Sequence, residues 1–87
     1  VLPASRPPFQ VIESADFTHQ AEIVLGNFWA WEHIKETFDL DVARDPYAFE
    51  QIEGTSYRAV RLNTDPPRTV YFTIDNLTET VTLEWIE

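Results

Sequence analysis

Tyr57-Arg58-Ala59-Val60-Arg61-Leu62, Thr69-Val70-Tyr71-Phe72-Thr73-Ile74 and Thr80-Val81-Thr82-Leu83-Glu84-Trp85 are three runs rich in β-branched and aromatic residues. They alternate with a period of two, as strands do when successive side chains point to opposite faces. In the second run Val70, Phe72 and Ile74 share one face, and Thr69, Tyr71 and Thr73 the other. In the third, Val81, Leu83 and Trp85 oppose Thr80, Thr82 and Glu84. The first run supports two registers, one set by Tyr57 and Ala59 and one by Val60 and Leu62, a conflict that a bulge would resolve. Asn63-Thr64-Asp65-Pro66-Pro67 and Asp75-Asn76-Leu77-Thr78 are rich in turn formers. Short connections make the three strands an antiparallel meander.

Upstream the apolar period lengthens. Phe9-Gln10-Val11-Ile12-Glu13 reads as a short strand, and Ser14 is a good N-cap for a helix starting just after it. Phe17, Ala21, Val24 and Leu25 then recur at helical spacing, and Gly26-Asn27 is a natural stop. Phe28, Trp31, Ile34, Phe38 and Val42 repeat the pattern, so a second helix is predicted from Phe28 to near Arg44. The break between them fits either a helical hairpin or one long bent helix. Asp45-Pro46 ends it, and the stretch to Ser56 reads as a connection with about one turn at Tyr47 to Phe49. The fold class is therefore α+β: an N-terminal strand, a helical hairpin and a three-stranded antiparallel meander, with the helices covering one face of an antiparallel sheet. Residues 1–8, with three prolines, read as a disordered or extended arm, and residues 9–87 as one domain.

Composition narrows the chemistry. Six basic against fifteen acidic residues give a net charge of −9, a field that repels nucleic acid unless a local basic patch offsets it. The absence of cysteine removes disulfides, thiol nucleophiles and Cys-ligated zinc together. No apolar run approaches the ~20 residues of a membrane span, so a soluble, cytoplasmic protein without membrane association is expected. His19 and His33 sit on different predicted helices without metal-ligand spacing, and with two glycines there is no phosphate-cradling loop. Ser14 reads as a cap, and Ser56 has no nucleophile elbow around it. No catalytic residue, metal or cofactor is assigned on these grounds.

The arginines are few and unevenly placed. Arg58, Arg61 and Arg68 lie in or beside the first two meander strands, and Arg44 ends the second helix. Guanidinium matches phosphate and carboxylate bidentately, so the three form a candidate site for a phosphate or for a partner. The alternative is internal pairing with Glu50, Glu53, Asp65 or Glu84. Trp29 and Trp31, two positions apart on a helix, cannot both face one core. Either one is exposed as an anchor on a candidate partner surface, or the helix is covered on two sides, as in a dimer.

The order strand, helical hairpin, meander, together with Gly54-Thr55-Ser56-Tyr57-Arg58, Arg61, Arg68-Thr69-Val70-Tyr71 and Ile74-Asp75, resembles the RelE/ParE toxin superfamily of bacterial toxin-antitoxin systems. The resemblance spans about Phe9 to Trp85. It implies a small toxin neutralised by an antitoxin that wraps its surface. RelE-like members cut mRNA on the ribosome with basic residues, and ParE-like members inhibit DNA gyrase. Arg58 and Arg68 match family arginines, with Arg61 a looser match. The family's accompanying lysines and the basic residues after the last strand have no counterpart, since Lys35 is the sole lysine and the last strand leads into Ile86-Glu87. The resemblance thus implies a toxin-type protein that binds a macromolecular partner, an antitoxin-like protein or a second copy, and is at most a weak mRNA endoribonuclease. The alternative is a non-toxic protein-protein interaction module that kept the fold.

Overall fold

A computed structural model describes residues 8–26 and 28–87; all but Pro8 of the predicted arm, and Asn27, lie outside them. The elements run β1 (Gln10–Glu13), α1 (Ala15–Leu25), α2 (Phe28–Arg44), a 3₁₀ turn (Pro46–Ala48), β2 (Glu50–Gln51), β3 (Arg58–Leu62), β4 (Arg68–Asp75) and β5 (Thr80–Ile86).

Local chemistry sets the helix ends. Ser14 is extended and its Oγ accepts the Phe17 N–H at 3.0 Å, satisfying one of the donors a helix start leaves unpaired. Gly26 ends α1 at φ +86°, a left-handed conformation that costs a residue without Cβ little. The two helices are separate and pack on one another, with the Phe17 and Trp31 rings edge to face at 5.1 Å. Their apolar stripes join the inner sheet face in one core, where Phe17, Ala21, Trp31, Phe38 and Val42 meet Val70, Phe72, Val81, Leu83 and Ile86.

The five strands form one sheet in the order β1-β5-β4-β3-β2. The meander is antiparallel as read, but β1 joins β5 in parallel, so the sheet is mixed rather than antiparallel throughout. The helical pair carries the chain from β1 to the opposite edge at β2 and β3, and the meander then returns β5 to lie beside β1. β2, a two-residue strand antiparallel to β3, falls in the stretch read as a connection. Glu50 and Gln51 are both exposed and polar, which leaves no alternation to detect.

The bulge is not in β3. Tyr71 pairs with Trp85 while Phe72 pairs with Leu83, which leaves Glu84 as the extra residue of β5. Beyond Glu84 the alternation inverts. Trp85 is therefore 41% exposed on the outer face and Ile86 is fully buried, the reverse of what strict alternation from Val81 predicts. Ser14 holds this point, its N–H bonded to Leu83 O at 2.9 Å and its Oγ donating to Glu84 O at 3.3 Å.

Candidate functional site on the open face and edge of the sheet

Helices cover one face of the sheet and leave the other open. On that open face the β3–β4–β5 register lines up Ala59, Tyr71 and Trp85 directly across three strands. The loop from Ile52 to Tyr57 rims the row. It is tightened by Ile52 N–H to Tyr57 O at 2.9 Å and Tyr57 N–H to Thr55 Oγ1 at 3.1 Å, with Gly54 at φ +79°. Together these build a cleft of about 470 Å³ lined by Asp16, Ile52, Thr55, Tyr57, Tyr71, Glu84, Trp85 and Glu87. Among the described residues three carboxylates and three aromatic rings face it, and no basic side chain does. The Tyr71 hydroxyl donates to Glu87 Oε1, and that bond above all holds the phenol's pKa above its usual range.

The register separates the three arginines. Arg58 lies opposite Phe72, and Arg68 opposite Leu62, so both belong to the helix-side face, while Arg61 lies opposite Thr69 on the open face. Arg58 and Arg68 sit at opposite ends of the β3–β4 ladder, four positions or roughly 13 Å apart. They do not converge. The Arg58 guanidinium donates to Phe49 O at 2.7 Å, Tyr47 O at 3.4 Å and Gln51 Oε1 at 3.4 Å, and lies 5.3 Å from the centre of the Tyr47 ring. It clamps the 3₁₀ turn and β2 to β3, bonding carbonyls rather than any of the carboxylates considered from the sequence. Arg61 and Arg68 make no side-chain hydrogen bond or ion pair among the described residues.

The tryptophans divide as their spacing requires. Trp31 is 3% exposed, packs edge to face on Phe17 and Phe38, and donates Nε1–H to Glu13 Oε1 at 3.2 Å. Trp29 is 75% exposed. His19 and His33 are exposed on separate helices, and among the described residues no three His, Asp or Glu side chains are grouped to hold a metal ion.

A second feature lies at the sheet edge. β2 covers β3 only at Arg58 and Ala59. Ile52 N–H bonds Tyr57 O, so Tyr57 and Ala59 direct their peptide groups toward β2. By the same alternation Arg61 turns its N–H and C=O outward where β2 has ended. Beneath this edge a groove of about 330 Å³ runs between β3 and α2, with Ile34, Phe38, Val42, Phe49, Val60 and Leu62 as its apolar lining and Arg61 at its rim.

The fold has a solved counterpart. The chain is similar in structure to a chain of the toxin-antitoxin complex RelBE2 from Mycobacterium tuberculosis, with a TM-score of 0.72 at 15% sequence identity, over 93% of this chain and 91% of that one. The fold is RelE-like. The likeness is one of architecture, and no protein-family model or curated protein matches the sequence. Within the RelE-like fold the Arg58 to Asp75 stretch forms the β3–β4 hairpin. The aromatic cleft is not legible in the sequence because its lining comes from four separate segments. The one local signal was Tyr71, a large ring among threonines on the polar side of β4.

Proposed function

We propose that this RelE-like chain is a toxin-type protein that acts by binding a protein partner rather than by cutting mRNA, and that an antitoxin-like protein neutralises it. The observation that carries the reading is the edge of β3. Outward peptide groups at Arg61 above an apolar groove suit an added strand, whose backbone bonds give affinity and whose alternate side chains fill the groove. Arg61 at the rim and Arg68 on the same hairpin are the cations available to such a partner's carboxylates, while Arg58 braces the edge from behind. Trp29 offers a further apolar contact on α2. Against RNA cleavage stands the charge of the open face. A cleaved phosphate needs strong local stabilisation of negative charge, and a cleft lined by Asp16, Glu84 and Glu87 supplies the opposite. Solution in the cytoplasm accords with the same reading; among the described residues no helix is long and apolar enough to cross a membrane.

Arg61→Pro removes the outward N–H at an edge position where proline is tolerated. Induced expression of the native chain in a bacterial host is expected to arrest growth, and the folded proline variant to lose that effect. Unchanged arrest in a folded Arg61→Pro variant sinks the edge assignment. A second reading, the non-toxic interaction module, is favoured by the exposure of Trp29. It expects no arrest and a self-association that Trp29→Ala weakens; a strict monomer in sedimentation at high concentration counts against it.

A further inference from the structure

The open-face cleft is separate from the β3 edge, and its chemistry is of a different kind. Tyr57, Tyr71 and Trp85 present ring surface within one concavity, and Asp16, Glu84 and Glu87 stand around them. The rings are positioned by the fold rather than by chance exposure. Tyr71 and Trp85 are a directly opposed cross-strand pair. Trp85 faces outward because the Glu84 bulge inverts the strand, and Tyr57 is placed by the Thr55 turn.

Aromatic faces carry negative potential and attract cations, guanidinium more often than ammonium, and desolvation in a concavity strengthens the attraction. Carboxylates at the same place add charge-assisted, bidentate acceptors for a planar guanidinium. We propose that this cleft binds an arginine side chain presented by a basic peptide segment of a partner protein. Charge selects this occupant: among the described residues the lining holds three acidic side chains and no Arg, Lys or His, on a chain of net charge −9. A stacked nucleobase would satisfy the rings equally, since every base has a π-face. Its phosphates would meet the carboxylates.

The Tyr71–Glu87 hydrogen bond gives the site its internal order. Glu87 Oε1 is held against the phenol, so the carboxylate stays beside the ring pair. Asp16 stands in the first turn of α1, where negative charge suits the positive end of the helix dipole. The inference does not depend on the β3 edge, and either can fail without the other.

The test is an NMR titration of the full chain with a short peptide carrying two arginines between glycines. The same peptide with citrulline, which keeps shape and loses charge, is the control. Expected are shifts of the Trp85 indole N–H and of the Tyr57 and Tyr71 amides, while the Trp29 and Trp31 indoles stay in place. Citrulline binding should be at least about fivefold weaker. Glu87→Gln and Asp16→Asn, both at exposed positions, should each weaken the arginine peptide severalfold while leaving the amide spectrum folded. The proposal is overturned by equal binding of the citrulline peptide, by shifts confined to other surfaces, or by a uridine oligonucleotide that occupies the cleft more tightly than the arginine peptide.

Discussion

Ser14 and Glu84, seventy positions apart, are joined by a hydrogen bond from the Ser14 Oγ to the Glu84 carbonyl at 3.3 Å. The same Oγ accepts the Phe17 N–H, so one hydroxyl caps α1 and satisfies the residue that β5 leaves unpaired at its bulge. Both the helix start and the inversion that turns Trp85 outward depend on it. Ser14→Ala should therefore cost about 1–2 kcal/mol, the upper part of the range for a lost cap because a second bond goes with it. Urea unfolding followed by circular dichroism measures this, and a change within experimental error would detach the cap from the bulge.

Glu13 and Trp31 give a second expectation. Glu13 accepts Trp31 Nε1–H with Oε1 and pairs with Lys35 Nζ through Oε2 at 2.9 Å, fixing α2 to β1. Trp31→Ala removes a core ring and leaves a partly buried carboxylate short of a donor, a loss of about 3–5 kcal/mol. That is a large share of the stability of so small a domain. Trp29→Ala, at a side chain 75% exposed, should cost clearly less than Trp31→Ala. Equal losses in the two thermal melts would contradict the division of the pair into core and surface.

Asp39 makes stability depend on pH. Its Oδ1 is buried without a hydrogen-bond partner, and burial, opposed by Lys35, pushes its carboxyl from 3.8 up to about 6. Because the folded state holds this proton more tightly than the unfolded chain, ionisation works against folding. The contribution of Asp39 is most favourable below pH 3.8, falls through the window up to about 6, and stays at its lowest above that. Asp39→Asn should raise the melting temperature at neutral pH, with the gap to the native chain closing as pH falls through that window. A gap independent of pH would show that Asp39 ionises normally.

The turn between β4 and β5 carries a local strain. Glu79 has φ +51°, in the left-handed region, after an Asp75 side chain that accepts the Leu77 and Thr78 N–H groups. Its carbonyl still accepts the Gln10 N–H at 3.0 Å, a bond that uses only backbone. Glu79→Gly keeps that bond and relieves the conformation, for an expected gain of up to about 1 kcal/mol in chemical denaturation. A loss of stability would show that the side chain contributes more than the strain costs.

The parts legible in the sequence were those decided by neighbouring residues. Ser14, Gly26 and Asp45-Pro46 mark helix ends through local backbone chemistry, and α2 runs from Phe28 to Arg44 as its apolar spacing predicts. What alternation could not show was set by distant pairing. The Glu84 bulge appears only when β5 lies against β4, so Trp85 and Ile86 exchange faces without any change in composition to announce it. The sequence left Arg58 between a ligand and an internal carboxylate, because its acceptors are main-chain carbonyls of Tyr47 and Phe49, which carry no sequence signature. The cleft gathers residues from Asp16 to Glu87 and exists only in the folded chain.

The proposal that this RelE-like chain works by binding a protein rather than by cutting RNA is tested most directly by mapping mRNA 5′ ends in bacteria during induced expression. The expected result is growth arrest with the 5′ ends of translated messages unchanged from the uninduced cells. New 5′ ends within translated codons, appearing with the native chain and absent with an Arg61→Ala, Arg68→Ala double variant that remains folded, would contradict it.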